Sequence, residues 1–168
     1  QGEWLANVYN GVYFENYQGY YVRQGNGYNT ESDFTWGGTP SDAAGYVGCS
    51  VPGDFHSVKY RRQGFPTSIY PYAITVPSWD DDVYVYVDGN LVWSTGCCGN
   101  GMNNNIVWTG NLTETSTVEV SFGEYGGASF LSFIVEPQYP LSITGSTAIS
   151  NYACYDFTYY AQVTQSFG

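Results

Sequence analysis

Cations are what this chain most conspicuously lacks. Lys and Arg number 4 in 168 residues against 15 Asp and Glu, for a formal net charge of −11. Such a surface repels phosphate backbones and anionic headgroups, which argues against nucleic acid as a partner and against docking on acidic membranes. No apolar run approaches the ~20 residues that a bilayer-spanning helix needs, so no membrane insertion is expected. No stretch holds an apolar period of about 3.6 residues between caps, so helix should be marginal. Histidine occurs once, at His56, and no Cys-x-x-Cys spacing exists, which weighs against a zinc site.

What abounds is Tyr (18 residues), with 5 Trp, 21 Gly and much Asn, Ser and Thr. Tyr, Trp and Thr suit pleated, half-buried surfaces, while Gly and Asn suit turns. The composition is that of an all-β protein of the secreted or cell-surface kind. Gln1 is read as the first residue of a mature, processed chain.

Short runs of strand character fall at residues 4–9, 12–17, 20–23, 55–62, 69–76, 83–87, 91–93, 106–109, 117–122 and 130–135. The strongest turn signal, Asp88-Gly89-Asn90, joins two of them into a hairpin. This spacing predicts an antiparallel β-sandwich, jelly-roll-like, with long loops and little or no helix. The sandwich is expected to span residues 1–138. Past Pro137-Gln138-Tyr139-Pro140 the texture becomes rich in Ser, Thr, Tyr and Ala. Residues 139–168 are read as a returning strand, a linker or the start of a further module.

The four cysteines, Cys49, Cys97, Cys98 and Cys154, allow three pairings, and an even count in a secreted β protein suggests disulfides. Adjacent cysteines rarely bond each other, because the eight-membered ring strains the peptide between them. Cys97 and Cys98 are therefore expected to take Cys49 and Cys154, in either order.

Asp80, Asp81 and Asp82 stand together immediately before an alternating strand. With so few bases to neutralise them, the natural counterion is a hard, oxygen-seeking cation such as Ca2+. Asp82 is given a solvated or hairpin-capping role. His56 has Asp54 and Ser57 beside it, but sequence neighbours on a strand diverge to opposite faces, so the trio is poor triad geometry. A structural hydrogen bond from His56 to a loop carbonyl is expected instead. Nothing pairs two carboxylates across a cleft for glycoside cleavage, and no enzymatic activity is expected. Asn111-Leu112-Thr113 fits a glycosylation acceptor.

Several stretches carry a family likeness: Trp4-Leu5-Ala6-Asn7, Phe34-Thr35-Trp36-Gly37, the run from Val51 to Val58, and above all Asp80-Asp81-Asp82-Val83 through Asp88-Gly89, followed by Glu124-Tyr125-Gly126-Gly127-Ala128. In these the chain resembles the protective-antigen-type β-sandwich domain, named for the anthrax toxin component and shared with yeast flocculin adhesins and large bacterial surface adhesins. The pair Cys97-Cys98 is similar to the adjacent cysteines of the flocculin-type lectins. Asp82 stands where many members carry Gly, and Glu124 where the yeast lectins use Asn.

The resemblance implies that Asp80 and Asp81 are joined by a cis peptide and grip a Ca2+ that also coordinates sugar hydroxyls. Glu124 and the backbone of Gly126 and Ala128 would complete the metal shell. Trp79 and Tyr125 would lie beside the sugar, and Asn103 in a loop would shape specificity. The implied protein is an extracellular, calcium-dependent carbohydrate-binding adhesin module whose partners are cell-surface or extracellular glycans. One alternative is a structural subunit that self-assembles into an extracellular fibre through its terminal segments. A third is a module appended to a secreted hydrolase.

Overall fold

The structure, a computed structural model, describes residues 2–29, 31–34, 37–102 and 105–140. The chain divides into two units, Gln1–Pro137 and Gln138–Gly168. The first is a two-sheet antiparallel sandwich. Expectations for residues 141–168, Cys154 included, lie outside the described residues, and so does Asn103.

Alternation builds the strands. In β1 (Glu3–Asn10), Trp4, Ala6 and Val8 turn inward while Glu3 and Leu5 face solvent. The chain continues through β2 (Tyr17–Gln24), β3 (Gly27–Asn29), one helical turn at Glu31–Phe34, a 3-10 turn at Pro40–Asp42, and β4 (Val47–Gly48). Then come β5 (His56–Gln63), β6 (Tyr72–Asp80), β7 (Asp82–Val87), β8 (Asn90–Ser94) and β9 (Gly101–Met102). β10 (Ile106–Gly110), β11 (Thr117–Glu124) and β12 (Phe130–Pro137) complete the unit. One sheet runs β4-β2-β1-β5-β11-β7-β8; the other runs β10-β6-β12-β3, with β9 also on β6.

The core between the sheets is aromatic. Trp4 meets Phe133 edge-on at 4.8 Å and Phe65 at 6.5 Å, and its indole N–H donates to the Gly25 carbonyl at 3.1 Å. Tyr21 and Tyr60 are fully buried, and their hydroxyls bond each other at 2.9 Å. Burying each such side chain contributes about 1.5–3 kcal/mol, provided its polar tip is satisfied.

Two expectations on strands are corrected. Residues 12–16 form a turn rather than a strand, because Gly11 (φ 106°), Phe14 (φ 62°) and Asn16 (φ 48°) adopt left-handed backbone that no ladder accommodates, and Tyr17 opens β2. The strand expected from residue 69 starts at Tyr72, just after Pro71, and Ile69 is left 91% exposed. The predicted hairpin forms at Asp88 (φ 49°) and Gly89 (φ 79°), both left-handed as a two-residue turn of this kind requires.

The fold positions one end of the sandwich in particular. β6 belongs to the smaller sheet and β7 to the larger, so the chain changes sheets at Asp81. β11 lies between β5 and β7, with Glu124 opposite His56 and Gly123 opposite Asp82. Three loops converge there: the segment entering β5, the β6–β7 junction and the β11–β12 connection.

Candidate functional site

Asp80, Asp81 and Asp82 are 8%, 6% and 3% exposed, so the acidic triplet is buried. The Asp80–Asp81 peptide is cis, as the family resemblance implied. Burial, and after it the adjacent Asp81, push the Asp80 carboxyl up to about 6, against the pull of a hydrogen bond from the Asn100 side chain. Asp81 Oδ2 accepts the Tyr125 N–H at 2.8 Å, which ties the sheet-changing junction to the β11–β12 loop.

Glu124 ends β11 on the inward face and is completely buried. Burial first, then Asp81, push its carboxyl up to about 8. Neither carboxyl oxygen has a partner of hydrogen-bonding geometry; the nearby Gly126 amide and Ser129 hydroxyl offset only part of the burial. Ser129 Oγ and His56 Nε2 are likewise buried without partners. Unsatisfied buried polar atoms are rare in folded proteins, so a group of them at the converging end of the sandwich calls for a partner such as water or an ion.

No cation of the chain reaches this end. Arg23 pairs with Asp33, and Arg62 bonds the Gly25 carbonyl and Asn26. Lys59 sits 3.7 Å from Glu119, and Lys59 and Arg61 both line a groove on the outer face of the larger sheet. These four are the whole complement of Lys and Arg. Among the described residues, no three His, Cys, Asp or Glu side chains are grouped to hold a metal ion by themselves.

The remaining expected residues fall as follows. Trp79 is the last residue of β6 before Asp80 and meets Trp93 edge-on at 5.6 Å. The Tyr125 ring leans edge-on against Tyr13 at 6.2 Å. Gly126 (φ 157°) and Gly127 (φ 100°) give the β11–β12 loop a backbone path that residues with a side chain rarely adopt. Asp82 is not solvated: it is buried, and its Oδ1 accepts the Cys98 N–H at 3.0 Å, fixing the turn after β8.

His56 Nδ1 bonds the Gly53 carbonyl at 2.9 Å, so it must carry the proton, and burial pulls the imidazole down to about 4. Ser57 Oγ donates to the Gly11 carbonyl at 2.6 Å, and Asp54 accepts the Gly127 N–H at 3.1 Å. The three side chains serve three different loops and form no triad.

The expected disulfide pairing is corrected. The structure joins Cys97 to Cys98, and among the described residues Cys49 is a free, exposed thiol. The two adjacent cysteines sit in a turn where Gly96 (φ 76°) and Cys98 (φ 74°) are left-handed, so the backbone there already reverses within the pair.

Sequence reasoning weighed Asp54 only as a triad neighbour of His56 and passed over Asn100, Ser129 and Trp93. Asp54 and Asn100 each stand beside Gly in a loop, a pattern that signals a turn without saying what the turn faces. Ser129 and Trp93 carried no distinguishing signal.

The arrangement is a two-sheet antiparallel β-sandwich. Its fold is similar to that of a PA14 sugar-binding domain from an RTX adhesin, at TM-score 0.61 and 14% identity, over 81% of this chain and 90% of that one. An anti-sigma factor domain-containing protein is similar at TM-score 0.53 and 18% identity, over 82% of this chain and 44% of that one. Another, from Clostridium clariflavum, reaches TM-score 0.50 and 12% identity over 87% of this chain and 50% of that one. The chain thus spans half or less of the anti-sigma factor proteins and most of the adhesin domain. At these identities the likeness is one of fold. No family description and no curated protein matches the sequence.

Proposed function

We propose that the sandwich is a calcium-dependent carbohydrate-binding module of an extracellular adhesin. The observation that carries this reading is the buried acidic group Asp80, Asp81 and Glu124, with both Glu124 oxygens unsatisfied and every Lys and Arg of the chain engaged elsewhere. A hard divalent cation fits such an all-oxygen set, whereas zinc and copper prefer nitrogen and sulfur. The likeness to a domain described as sugar-binding, from an adhesin, supports the same reading.

In this reading Asp80 and Asp81 ligate Ca2+ from the sheet-changing junction, and Gly126 and Ala128 offer backbone carbonyls from the facing loop. Ca2+ takes six to eight oxygens, so positions remain for two neighbouring sugar hydroxyls in place of water. Trp79 supplies an apolar surface for the ring, and Tyr125 holds Asp81 through its amide. Glu124 lies behind the pair; a cation draws off its proton and makes its charge favourable. Binding at one site is weak and gains from multivalent display on a cell surface. The fibre reading rests on terminal segments beyond the described residues, and no described feature favours it.

Calorimetry tests the proposal directly. Ca2+ should bind the chelator-treated protein at about one ion per chain, and neutral hexoses should bind only the loaded form. Sugar binding that persists in excess chelator rules the mechanism out.

A further inference from the structure

Two of the four bases of this acidic chain stand together on one face. Lys59 and Arg61 are two residues apart on β5, so both point out of the larger sheet. Both line a trough of about 720 Å3 that crosses β5, β11 and β7. Phe14 lies on the β5 side and Tyr86 on the β7 side, with Asp88 at the hairpin end.

We propose that this trough binds a carboxylated saccharide, a hexuronate unit, without calcium. The proposal is independent of the acidic end of the sandwich and of the reading given for it.

The pattern of charge supplies the anchor. Glu119 lies in register opposite Arg61, and Lys59 Nζ is 3.7 Å from its Oε1. Two positive groups thus flank one negative group, and Arg61 is exposed. A guanidinium takes a carboxylate through two parallel N–H bonds, a geometry that an ammonium lacks. Asp88 is turned towards the chain itself, its Oδ1 accepting the Thr117 N–H at 2.7 Å.

The Phe14 wall is held by force. Its φ of 62° lies in a region that bulky residues avoid. Ser57 keeps it there: its Oγ accepts the Phe14 N–H at 3.0 Å and donates to the Gly11 carbonyl at 2.6 Å. The ring centroid stands 4.6 Å from Lys59 Nζ, and the ring meets Tyr9 edge-on at 6.0 Å. Backbone strain of this kind concentrates at ligand sites.

The walls favour a saccharide over a peptide. β5, β11 and β7 each have a neighbour on both sides, so no strand edge is open for a peptide to join. Aromatic rings on two sides and the Thr117 hydroxyl at one end suit a pyranose, with C–H groups on its faces and hydroxyls around its rim. From Ser121 to Thr117 the floor advances about 14 Å along β11. The volume lies within the range of small-ligand sites, roughly 300–1,000 Å3. The net charge of −11 limits the ligand further. Repulsion at long range excludes a densely sulfated chain, while the two bases hold a carboxylate at short range.

Calorimetry on the intact chain in excess chelator tests this with the acidic end silent. The probes are a hyaluronan tetrasaccharide and trigalacturonate, each against its own methyl ester. At least one free acid should bind about tenfold or more tighter than its ester, as a charge-assisted hydrogen-bonded pair warrants. Arg61→Gln should bring that ratio to about one. Glycine accepts the φ of residue 14, so Phe14→Gly removes the ring without straining the backbone. It should weaken acid and ester alike by about fivefold, the loss of one aromatic contact. Calcium affinity should be unchanged in both variants.

Equal binding of acid and ester, or no binding of either acid, overturns the proposal. A ratio that survives Arg61→Gln overturns it too, because the carboxylate then sits elsewhere. A heparin hexasaccharide that binds more tightly than both acids would show general attraction of anions and would also overturn it.

Discussion

Glu119 and Glu124 lie on the same strand, β11, and meet opposite fates. Glu119 faces out of the larger sheet, where Lys59 Nζ stands 3.7 Å away and Ser121 Oγ donates at 2.9 Å. Glu124, five residues on and therefore on the other face, is fully buried, with neither oxygen bonded. One carboxylate is satisfied by the chain itself; the other waits for something the chain does not contain. A protein with 4 bases has little means to neutralise acids internally. Where it buries three of them beside a fourth, burial favours the protonated carboxyls unless a cation of the kind proposed above joins them.

The largest way to break this contrast is at the acidic end. Asp81→Ala removes a carboxylate of the pair and the acceptor of the Tyr125 amide. It should weaken calcium-dependent glycan binding about 100-fold or more while leaving the far-ultraviolet dichroism of the sandwich intact. Undiminished glycan retention by the variant would remove the pair from the mechanism.

A middle-sized effect is expected from pH. Asp80 rises from an ordinary 3.8 to about 6 and Glu124 from 4.5 to about 8 in the folded chain. Between about pH 4 and pH 8 the unfolded chain has released these protons and the folded chain still holds them. The unfolded state binds fewer protons, so stability of the calcium-free protein must fall as pH rises through this window. Thermal melts in chelator should show Tm higher at pH 4.5 than at pH 8 by ~5 °C or more, and saturating Ca2+ should reverse the order by stabilising the ionised form. Glu124→Gln should flatten much of the slope and lower calcium affinity about tenfold. A wild-type Tm that is level across the window in chelator would contradict the assigned burial.

The smallest effect belongs to the other end of the comparison. Glu119→Gln dissolves a half-exposed ion pair, so stability should change by no more than about 0.5–1 kcal/mol in urea titration, and by less in high salt. Glycan binding should not respond. A large loss in either would mean that the outer face is coupled to the acidic end.

How much of this was legible in the sequence varies by residue. The β7–β8 hairpin was plain, because alternation from Val83 to Val87 and the pair Asp88-Gly89 are both local signals. Asp80 and Asp81 stood out because acid runs are conspicuous where bases are rare. The pairing of His56 with Glu124 was not legible: it joins residues far apart in the chain, and register between distant strands depends on the packing of the whole sheet. For the same reason Glu124 could be named as an acid near the site but not as one stripped of every hydrogen bond. The turn at residues 11–16 was misread because Val12 to Tyr17 carries strand-forming residue types on a backbone that Gly11, Phe14 and Asn16 bend left-handed.

The placement of β11 between β5 and β7 also has a kinetic meaning. The acidic end combines a loop before His56, the junction at Asp81 and the loop after Glu124, so no single hairpin contains it. Chains dominated by such distant pairings fold slowly, in milliseconds to seconds, because loop closure precedes the contacts that reward it. All three segments must be in register before this corner exists. Ligand capture would then be the last property to appear during refolding, and a sensitive count of how many molecules have finished.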